Sequence, residues 1–552
     1  MIRSKAFSTL FFYLLTLNLA AQYKISGTVS DMDTDQKLPG VHVSLSSENG
    51  SFKRLAIGDR EGKFIIDNLG TGSYRLVVSG IGYKNHREVV EIADRDRVFN
   101  IELSEEIQEL KEVKIYGNRS GLEFDKLREV EDMAIFAGKK SELILPGNMT
   151  INAATNNARQ LYSRIAGLNI YENDGAGLQL SIGGRGLDPN RTANFNVRQN
   201  GYDISADALG YPESYYTPPV EAIDRIQIVR GAASLQYGTQ FGGLLNFILK
   251  KPLEDKPLEI VSRQTLGSYG FFNSFNSISG TRGKLSYYSF FQYKRGDGWR
   301  PNSDFNAYTA YANLRYQFSE KTSIGGQYTR MNYLAHQSGG LTDRQFVSDP
   351  RQSNRTRNWF DVNWNLFNLE LQHIISDKSK ISLQGFGLMA SRGSLGFRPN
   401  RPETPDNNGP RDLIDGEFRN WGLESRFMQR YTLNSRPSVL LMGIRYYEGM
   451  NQSKQGEGGT GSDDDFTFTN PEETMLSDYR FPSRNMAFFA EDVFHLSPTL
   501  SVTPGFRFEH ISTLAKGYYR NIVKDLAGNI MENRRIDESL KRPRSFILFG
   551  LG

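Results

Sequence analysis

The stretch Tyr308–Phe318, YTAYANLRYQF, decides the fold class because apolar and polar side chains alternate along it. Every second residue from Tyr308 onward is apolar or aromatic, and polar residues on the other side are Thr309, Asn313, Arg315 and Gln317. A period of two predicts a β-strand with one apolar face and one polar face. The stretch Leu500–His510 shows the same alternation, so the pattern recurs near the C-terminus.

The connections between such strands alternate in length from about residue 257 onward. Short turns are predicted at 319–320, 376–378, 434–436 and 497–498, and long loops at 334–358, 395–416, 453–483 and 516–544. Outer-membrane barrels have short periplasmic turns and long extracellular loops, whereas a soluble β-protein has no reason to sort its connections in this way. We therefore predict an antiparallel transmembrane β-barrel over residues 253–552, with about twelve strands.

The composition excludes several classes of protein. The 552 residues include no cysteine, which excludes disulfides, thiolate metal sites and a cysteine nucleophile. A net charge of +4 gives no reason to expect nucleic acid as a partner. The six histidines lack the spacing of metal ligands, no nucleophile motif or phosphate loop is present, and the acidic run Asp463–Asp465 is better explained as a solvated loop than as a cation site. We therefore expect no enzyme activity, no catalytic residue, no metal site and no cofactor.

The first residues are typical of a signal peptide. Arg3 and Lys5 precede an apolar run from about Phe7 to Leu19, and Ala20-Ala21 offers a small-residue cleavage site. The run is short for a membrane-spanning helix. We expect residues 1–21 to be removed during export.

Residues 22–103 are predicted to form a small β-sandwich, because short alternating strands are separated by glycine-bearing turns. The segment resembles the carboxypeptidase regulatory-like domain in Gly27–Asp31, Leu38–Val41, Gly62–Phe64, Gly72–Tyr74 and Gly82-Tyr83. No zinc-ligand spacing or catalytic pair accompanies it, so the resemblance implies no peptidase. Residues 104–124 are predicted to be a charged linker.

Residues 125–252 are predicted to form a mixed α/β domain, with a short helix over Arg159–Ala166 and a turn followed by a strand over Val220–Val229. Three ordered motifs resemble the plug domain of TonB-dependent receptors: Ala166–Ile170, Ile182–Leu187, and Ile223–Gly238 continued by Phe241–Phe247. The ferric-citrate-receptor branch of the family is the most similar. One departure is Val197–Gly201, where the family usually has an apolar pair and Asp-Gly. Because Asn200 tolerates the left-handed conformation, we expect the turn to be kept.

The resemblance implies a mainly β protein of the bacterial outer membrane, with a plug inside a barrel, that imports a scarce nutrient. Barrels of this type have roughly 22 strands around a plugged lumen. About twelve strands leave two unpaired edges in lipid. We therefore expect a half-barrel partly wrapping the plug, from either a fragment of a longer reading frame or a non-functional product.

The resemblance also implies a periplasmic partner, TonB, energised by an inner-membrane complex. The linker segment Glu112, Val113, Lys114, Ile115 and Tyr116 resembles a TonB box, which adds as a strand to that partner; the alternative is a simple spacer. In this family, plug charges face acidic groups on the barrel wall and help to seat the plug. The resemblance therefore assigns the seating of the plug to Arg225 and Arg230, with Gly231 beside them. The alternative is that the two arginines are an ordinary pair of solvated charges.

The ligand is expected at the plug apex and the long loops. Candidate residues are Arg191, Asn194, Tyr211, Tyr215, Arg344 and Arg351, and the loops also carry Arg355, Arg357, Arg398, Arg401 and Arg411. A guanidinium group can donate two parallel hydrogen bonds to one carboxylate, which favours an anionic chelate such as ferric citrate or a ferric siderophore as the ligand. Surface loops commonly carry arginine, however, and an oligosaccharide or another non-iron nutrient remains the alternative.

Overall fold

The computed structural model describes residues 23–32, 37–47, 53–80, 83, 85–103, 124–163, 165–172, 174, 177, 180–184, 186–189, 192, 194–230, 235–238, 243–434, 436–497, 500–527 and 529–552. The chain divides into two compact units, residues 1–113 and 114–552. The predicted signal peptide 1–21 and the predicted TonB box 112–116 lie outside the described residues. No helix in the described ranges is both long and apolar enough to cross a membrane.

The first unit is a two-sheet sandwich, as the alternating N-terminal strands predict. Its strands are β1 (Tyr23–Asp31), β2 (His42–Ser47), β3 (Lys53–Ile57), β4 (Lys63–Leu69), β5 (Gly72–Ser79), β6 (His86–Ile92) and β7 (Arg97–Leu103). One sheet has the order β4-β1-β7 and the other β3-β2-β5-β6. Ile25, Val29, Val43 and Leu76 are fully buried between the sheets, because inward-facing positions recur at every second residue.

The second unit begins with the mixed α/β domain, for which we keep the name plug. Its elements are β8 (Phe124–Asp125), β9 (Val130–Glu131), β10 (Ala134–Ile135), β11 (Ser141–Ile144), α1 (Ala158–Tyr162), β12 (Leu168–Glu172), β13 (Leu180–Gly184), β14 (Phe195–Gln199), β15 (Tyr202–Asp203), β16 (Ile223–Arg230) and β17 (Gly243–Leu249). Single 3-10 turns cover Pro146–Asn148, Val220–Ala222 and Leu235–Tyr237. The main sheet has the order β15-β14-β17-β16-β11-β8.

Two expectations for the plug are confirmed. The Val220–Ala222 turn leads directly into β16, as predicted. Asn200 has a φ of 47° and Gly201 a φ of 86°, so the departure from the usual Asp-Gly keeps the tight turn between β14 and β15. The helix α1 is shorter than predicted; the side chain of Asn157 caps its start by accepting a hydrogen bond from the Arg159 amide at 2.9 Å.

Residues 259–551 form the large antiparallel sheet. Its strands are β18 (Glu259–Leu266), β19 (Phe272–Arg282), β20 (Leu285–Gly296), β21 (Phe305–Ser319), β22 (Thr322–His336), β23 (Trp359–Ser376), β24 (Ser379–Gly396), β25 (Arg411–Leu433), β26 (Arg436–Gly458), β27 (Ser477–Ser497), β28 (Leu500–Val502), β29 (Pro504–Lys524) and β30 (Ile530–Leu551). Twelve follow one path with β18 and β30 at its ends, and β28 pairs only with β27. The expectation of about twelve strands is confirmed.

The large sheet of β18–β30, which we call the wall, curves around the plug. Asn273 of β19, Tyr311 of β21 and Arg507 of β29 all hydrogen-bond plug residues, so the wall faces the plug from β19 to β29. In β21, Leu314 and Phe318 are each 53% exposed on the outer face. The alternation read from the sequence therefore separates an outer apolar face from an inner face on the plug.

The loop prediction is wrong in one place. Residues 516–544 do not form a long loop, because β29 and β30 stay paired from Pro504↔Leu551 to Lys524↔Ile530. Apolar and polar residues do not alternate regularly there, so side-chain periodicity gives no signal, whereas backbone hydrogen bonds hold the ribbon regardless of side chain. The other long connections occur, and two of them carry short helices, α2 (Asp343–Ser348) and α3 (Pro471–Thr474).

Candidate functional site

A buried cluster of five charged side chains joins the plug to the wall. Arg198 and Asp203 come from the plug, and Glu424, Arg426 and Arg445 from β25 and β26. Arg445 binds Asp203 at 2.9 Å and Glu424 at 3.4 Å, and Arg426 binds Glu424 at 2.6 Å. Arg198 lies 4.0 Å from both Asp203 and Glu424. Buried ions lose their hydration, so each of these charges is stable only while its contacts with oppositely charged partners replace the lost water.

Two hairpins place these charges. The Asn200-Gly201 turn makes Arg198 and Asp203 direct partners in the β14–β15 register. On the wall, Glu424 and Arg445 are direct partners in the β25–β26 register. Three guanidinium groups face two carboxylates, so the cluster carries an excess positive charge. Burial, together with Arg445, lowers the pKa of Arg198 to about 10.

A second attachment lies around the Leu235–Tyr237 turn. The Gln236 side chain donates to the Ile135 carbonyl at 2.6 Å and accepts from Arg426 at 3.2 Å. Its backbone amide donates to Glu491 of β27 at 3.1 Å, and Lys139 forms an ion pair with the same carboxylate. The plug is therefore fixed to the wall at two neighbouring points.

The seating prediction requires a correction. Arg230 makes a two-point contact with Glu142, at 2.9 and 2.6 Å, and Arg225 binds Asp224 at 2.9 Å. All four residues belong to the plug, and Gly231 lies outside the described residues. Among the residues that the structure describes, neither arginine pairs with a carboxylate of the wall, and β16 is an interior strand of the plug sheet with β11 and its Glu142 beside it. The ion pairs that seat the plug are made instead by Arg198, Asp203 and Lys139.

Two of the predicted ligand residues, Tyr211 and Tyr215, meet at the plug apex. Their hydroxyls lie 2.8 Å apart, and Tyr215 donates to Glu213 at 2.8 Å. Arg392 of β24 donates to the Tyr211 hydroxyl at 3.3 Å and lies 6.0 Å from the Tyr215 ring centre. Phe418 stacks on Tyr211 with ring centres 5.2 Å apart, and Trp364 meets Tyr215 edge-on. Sequence reasoning missed these three wall residues, since only the fold brings them to the apex.

Asp207 fixes the apical loop to the wall. Its carboxylate is fully buried and accepts hydrogen bonds from Tyr447, Asn451 and Ser483 at 2.8, 2.9 and 3.1 Å. Burial raises the pKa of Asp207 above its ordinary value, and the hydroxyl and amide donors oppose that rise. A cavity of about 300 Å³ opens beside it, lined by Asp207, Tyr211, Arg392, Phe418, Phe481 and other side chains.

The remaining ligand candidates lie apart from this apex cluster. Asn194 donates to the Asp188 carbonyl at 2.8 Å, and Arg191 lies outside the described residues. Arg344 is exposed on α2. Arg351 donates to the Trp299 carbonyl at 3.0 Å and lies 5.7 Å from the Tyr269 ring centre. The structure thus brings together two of the six predicted residues, and the roles of all six stay predictions.

The other loop arginines tie loops to one another. Arg357 binds both carboxylate oxygens of Asp406, at 2.9 and 2.5 Å, and donates to the Thr460 carbonyl at 2.7 Å. Arg411 binds Asp463 at 2.8 Å, and Arg355 donates to carbonyls of the 397–410 loop. Arg355, Arg357 and Arg411 are all at least 95% buried. Their guanidinium groups already donate hydrogen bonds to protein acceptors, and a role in binding the chelate stays a prediction for them.

A buried carboxyl in the plug predicts a pH dependence. Glu221 is 5% exposed, and its Oε2 has no hydrogen-bond partner among the described residues. Burial raises its pKa to about 7, against the opposing effect of Arg263. Because the pKa of Glu221 is higher in the folded state than its unfolded value near 4.5, its contribution to the stability of the fold is fully present below pH 4.5. That contribution is lost as the pH rises through about 7.

Glu221→Gln is therefore expected to flatten the decline in plug stability between pH 5 and pH 8, by up to about 3 kcal/mol. The measurement is amide hydrogen exchange of β16 and β17 at each pH. Glu254→Gln, which removes an exposed carboxyl, is the matched control and should leave the decline unchanged. An equal decline in Glu221→Gln and the parent would contradict this assignment.

Three family profiles match the chain. A CarboxypepD_reg-like domain covers residues 25–115, the TonB-dependent receptor plug domain covers 144–244, and the TonB-dependent receptor-like β-barrel covers 325–529. No curated protein matches the chain significantly.

Several solved structures share the fold. The ferric citrate transporter FecA in its unliganded form is 21% identical with a TM-score of 0.57, over 78% of this chain and 60% of that one. The ferric-catecholate import receptor Fiu from E. coli K12, in its open form, is 13% identical with a TM-score of 0.59, over 77% and 68%. The copper transporter OprC is 15% identical with a TM-score of 0.55, over 74% and 60%.

The chain spans about 60% of FecA's length. The families and structures that match are receptors and transporters, in agreement with the sequence-based expectation of no enzyme. The three profiles follow one another in the order that the motifs predict, and together they cover the sandwich, the plug and most of the large sheet. The chain belongs to the TonB-dependent receptor family.

Proposed function

We propose that this chain acts, in the complete receptor, as a TonB-dependent importer of a ferric siderophore or ferric citrate across the outer membrane. The observation that carries the proposal is the apex cluster of Tyr211, Tyr215 and Arg392, where a guanidinium and two phenol hydroxyls meet beside an open cavity. The Arg392 guanidinium donates hydrogen bonds, and its Nε has no partner among the described residues, which suits the carboxylate or phenolate oxygens of an anionic chelate. The chelator ligates the iron, so the protein needs no metal ligands of its own.

In this mechanism the ligand binds between the loops and the plug apex. TonB, powered by the inner-membrane complex, then engages the linker segment 112–116 by strand addition and pulls. Part of the plug's hold on the wall is polar, and the buried charge cluster and the Gln236 contacts can be exchanged for water as plug and wall separate. Export through the signal peptide 1–21 and insertion into the outer membrane of a Gram-negative cell complete the proposal.

The test is uptake of radiolabelled ferric citrate by cells expressing the full-length gene, with and without residues 112–116. Uptake that vanishes while surface binding persists supports both iron import and the TonB box. Equal uptake by the deletion variant would overturn the role of the segment. No surface binding would overturn the ligand, and labelled oligosaccharides would be tested next.

Removing the Arg392 guanidinium is expected to weaken chelate binding. Arg392→Ala takes away a charged donor that holds Tyr211, at a cost of about 1.5–3 kcal/mol, or a 10- to 100-fold loss of affinity. The measurement is equilibrium binding of the ferric chelate to intact cells. Arg484→Ala removes an arginine from the outer face of β27 and should leave affinity unchanged. An unchanged affinity in Arg392→Ala would exclude this residue from the site.

A further inference from the structure

The outward face of the wall carries an apolar groove of about 630 Å³ across β21–β25. Its floor is formed by glycines, Gly326 on β22 and Gly385 and Gly387 on β24. Strand register gives its walls: Gly326 lies between Leu314 and Leu369, and Gly385 lies between Leu369 and Leu423. Leucine and glycine thus alternate along one row of five strands. The Leu369 side chain forms a ridge with one notch on each side of it, at Gly326 and at Gly385.

The notches are close enough for one molecule to occupy both. Neighbouring strands lie about 4.8 Å apart, so the β22 and β24 notches are roughly 10 Å from each other. The next row places the rings of Tyr328, Phe367 and Trp421 along the same walls. Leu369 is 57% exposed and Trp421 51% exposed, so the groove is open to its surroundings.

The polar boundary lies one row further along the strands. Arg330, Asn365, Met389 and Arg419 form that row across β22–β25. Arg330 lies 3.3 Å from the Tyr308 hydroxyl, and Arg419 lies 3.3 Å from its neighbour Glu417 with its own side chain 66% exposed. Two exposed guanidinium groups therefore lie about 13 Å along the strands from the row of Gly326 and Gly385.

The strand direction orients the groove. β24 runs from the two-residue turn 377–378 to the 397–410 loop, so Gly385 precedes Met389 on the way to the long loops. In a barrel of this type the long loops face the cell exterior. The arginine row therefore lies nearer the cell exterior than the notches do.

We propose that this groove is a binding site for one anionic lipid with at least two acyl chains. The chains lie in the Gly326 and Gly385 notches, and the phosphate headgroup lies against Arg330 and Arg419. The positive charge of Arg330 and Arg419 favours an anionic lipid over a second copy of the chain, because the second copy would place its own arginines against these two. The site rests on the proposed outer-membrane location, but not on the identity of the transported ligand.

The test uses the full chain purified in detergent and phosphatidylglycerol as the probe, with native mass spectrometry counting retained lipids. The chain should keep one phosphatidylglycerol and lose phosphatidylethanolamine at the same detergent concentration. Gly326→Leu and Gly385→Leu should each reduce retention at least 10-fold by filling a notch. Both substitutions are sterically allowed, since a Cβ at Gly326 meets nothing within 4 Å and a Cβ at Gly385 meets Leu423 at 3.8 Å.

Arg419→Gln should bring retention of phosphatidylglycerol down to that of phosphatidylethanolamine, and Arg484→Gln, outside the groove, should not change it. Quenching of Trp421 fluorescence by brominated phosphatidylglycerol gives a second readout, which Trp421→Phe should remove. Equal retention of both lipids, or full retention in the two leucine variants, overturns the site. Ferric uptake is measured separately, so failure of the lipid site and failure of the transport proposal are distinguishable.

Discussion

Gly243→Ala is expected to prevent the plug from forming its central sheet. Gly243 begins β17 with a φ of 107°, and a Cβ there would lie 1.9 Å from the Val229 carbonyl oxygen on the neighbouring strand. The contact is with backbone, so it cannot be relieved by moving a side chain, and six further pairs from Val229↔Leu244 to Ile223↔Leu249 hold the β16–β17 register next to Gly243. We expect a loss of at least about 4 kcal/mol, measured as lost hydrogen-exchange protection in β14, β16 and β17.

Gly201→Ala is the matched control, because it separates backbone strain from collision. Gly201 also has a positive φ, 86°, but a Cβ there meets nothing within 4 Å. Its substitution is expected to cost about 1–2 kcal/mol from strain alone and to leave the sheet formed. Equal protection in the two variants would show that the approach of Val229 to Gly243 does not constrain the plug.

Glu424→Gln is expected to loosen the plug within the wall. The Glu424 side chain is 2% exposed and is the one carboxylate of the cluster near all three guanidinium groups, Arg198, Arg426 and Arg445. The glutamine amide keeps the shape of the Glu424 side chain but removes its negative charge. Asp203 is then the one carboxylate left in the cluster for three buried arginines. Breaking a buried pair costs about 3–5 kcal/mol because the surviving charge stays desolvated. The measurement is protease resistance of the plug in the purified protein, with circular dichroism to follow the wall.

Glu417→Gln provides the control on the same strand. Glu417 faces outward, where it lies 3.3 Å from Arg419 with its own side chain 43% exposed. Exposed pairs contribute about 0–1 kcal/mol, so this variant should resist protease as the parent does. If Glu424→Gln keeps full protease resistance as well, the cluster does not seat the plug.

The strands of the wall were predictable where one face meets apolar surroundings. In β21 the outer positions are apolar and the inner positions are mostly polar, so a single sequence window contains both environments. The β29–β30 ribbon beyond Phe508 lacks this contrast, and its charged residues were read as a loop. Backbone pairing needs no side-chain pattern, which explains why sequence periodicity missed it.

Charged residues were harder to predict than strands, because their partners are remote in sequence. Arg230 pairs with Glu142 and Arg357 with Asp406, and neither pairing follows from local spacing. Glu424 and Arg426 did leave a signal, two charges on the polar face of one strand. Arg198 left another, as a charge where the plug pattern usually has an apolar residue.

The two-residue strand β8 determines how the plug meets a mechanical load. A force applied through the residues before Phe124 reaches β8 first. Among the described strands β8 is the outermost of its sheet, where it pairs at Leu143↔Asp125 and Ile144↔Phe124. Next along the chain comes the β9–β10 hairpin, also paired over two residues, and then Lys139 with its ion pair to the wall. Under such a load we expect these contacts to break one after another, so that the work of opening the plug is divided into small steps.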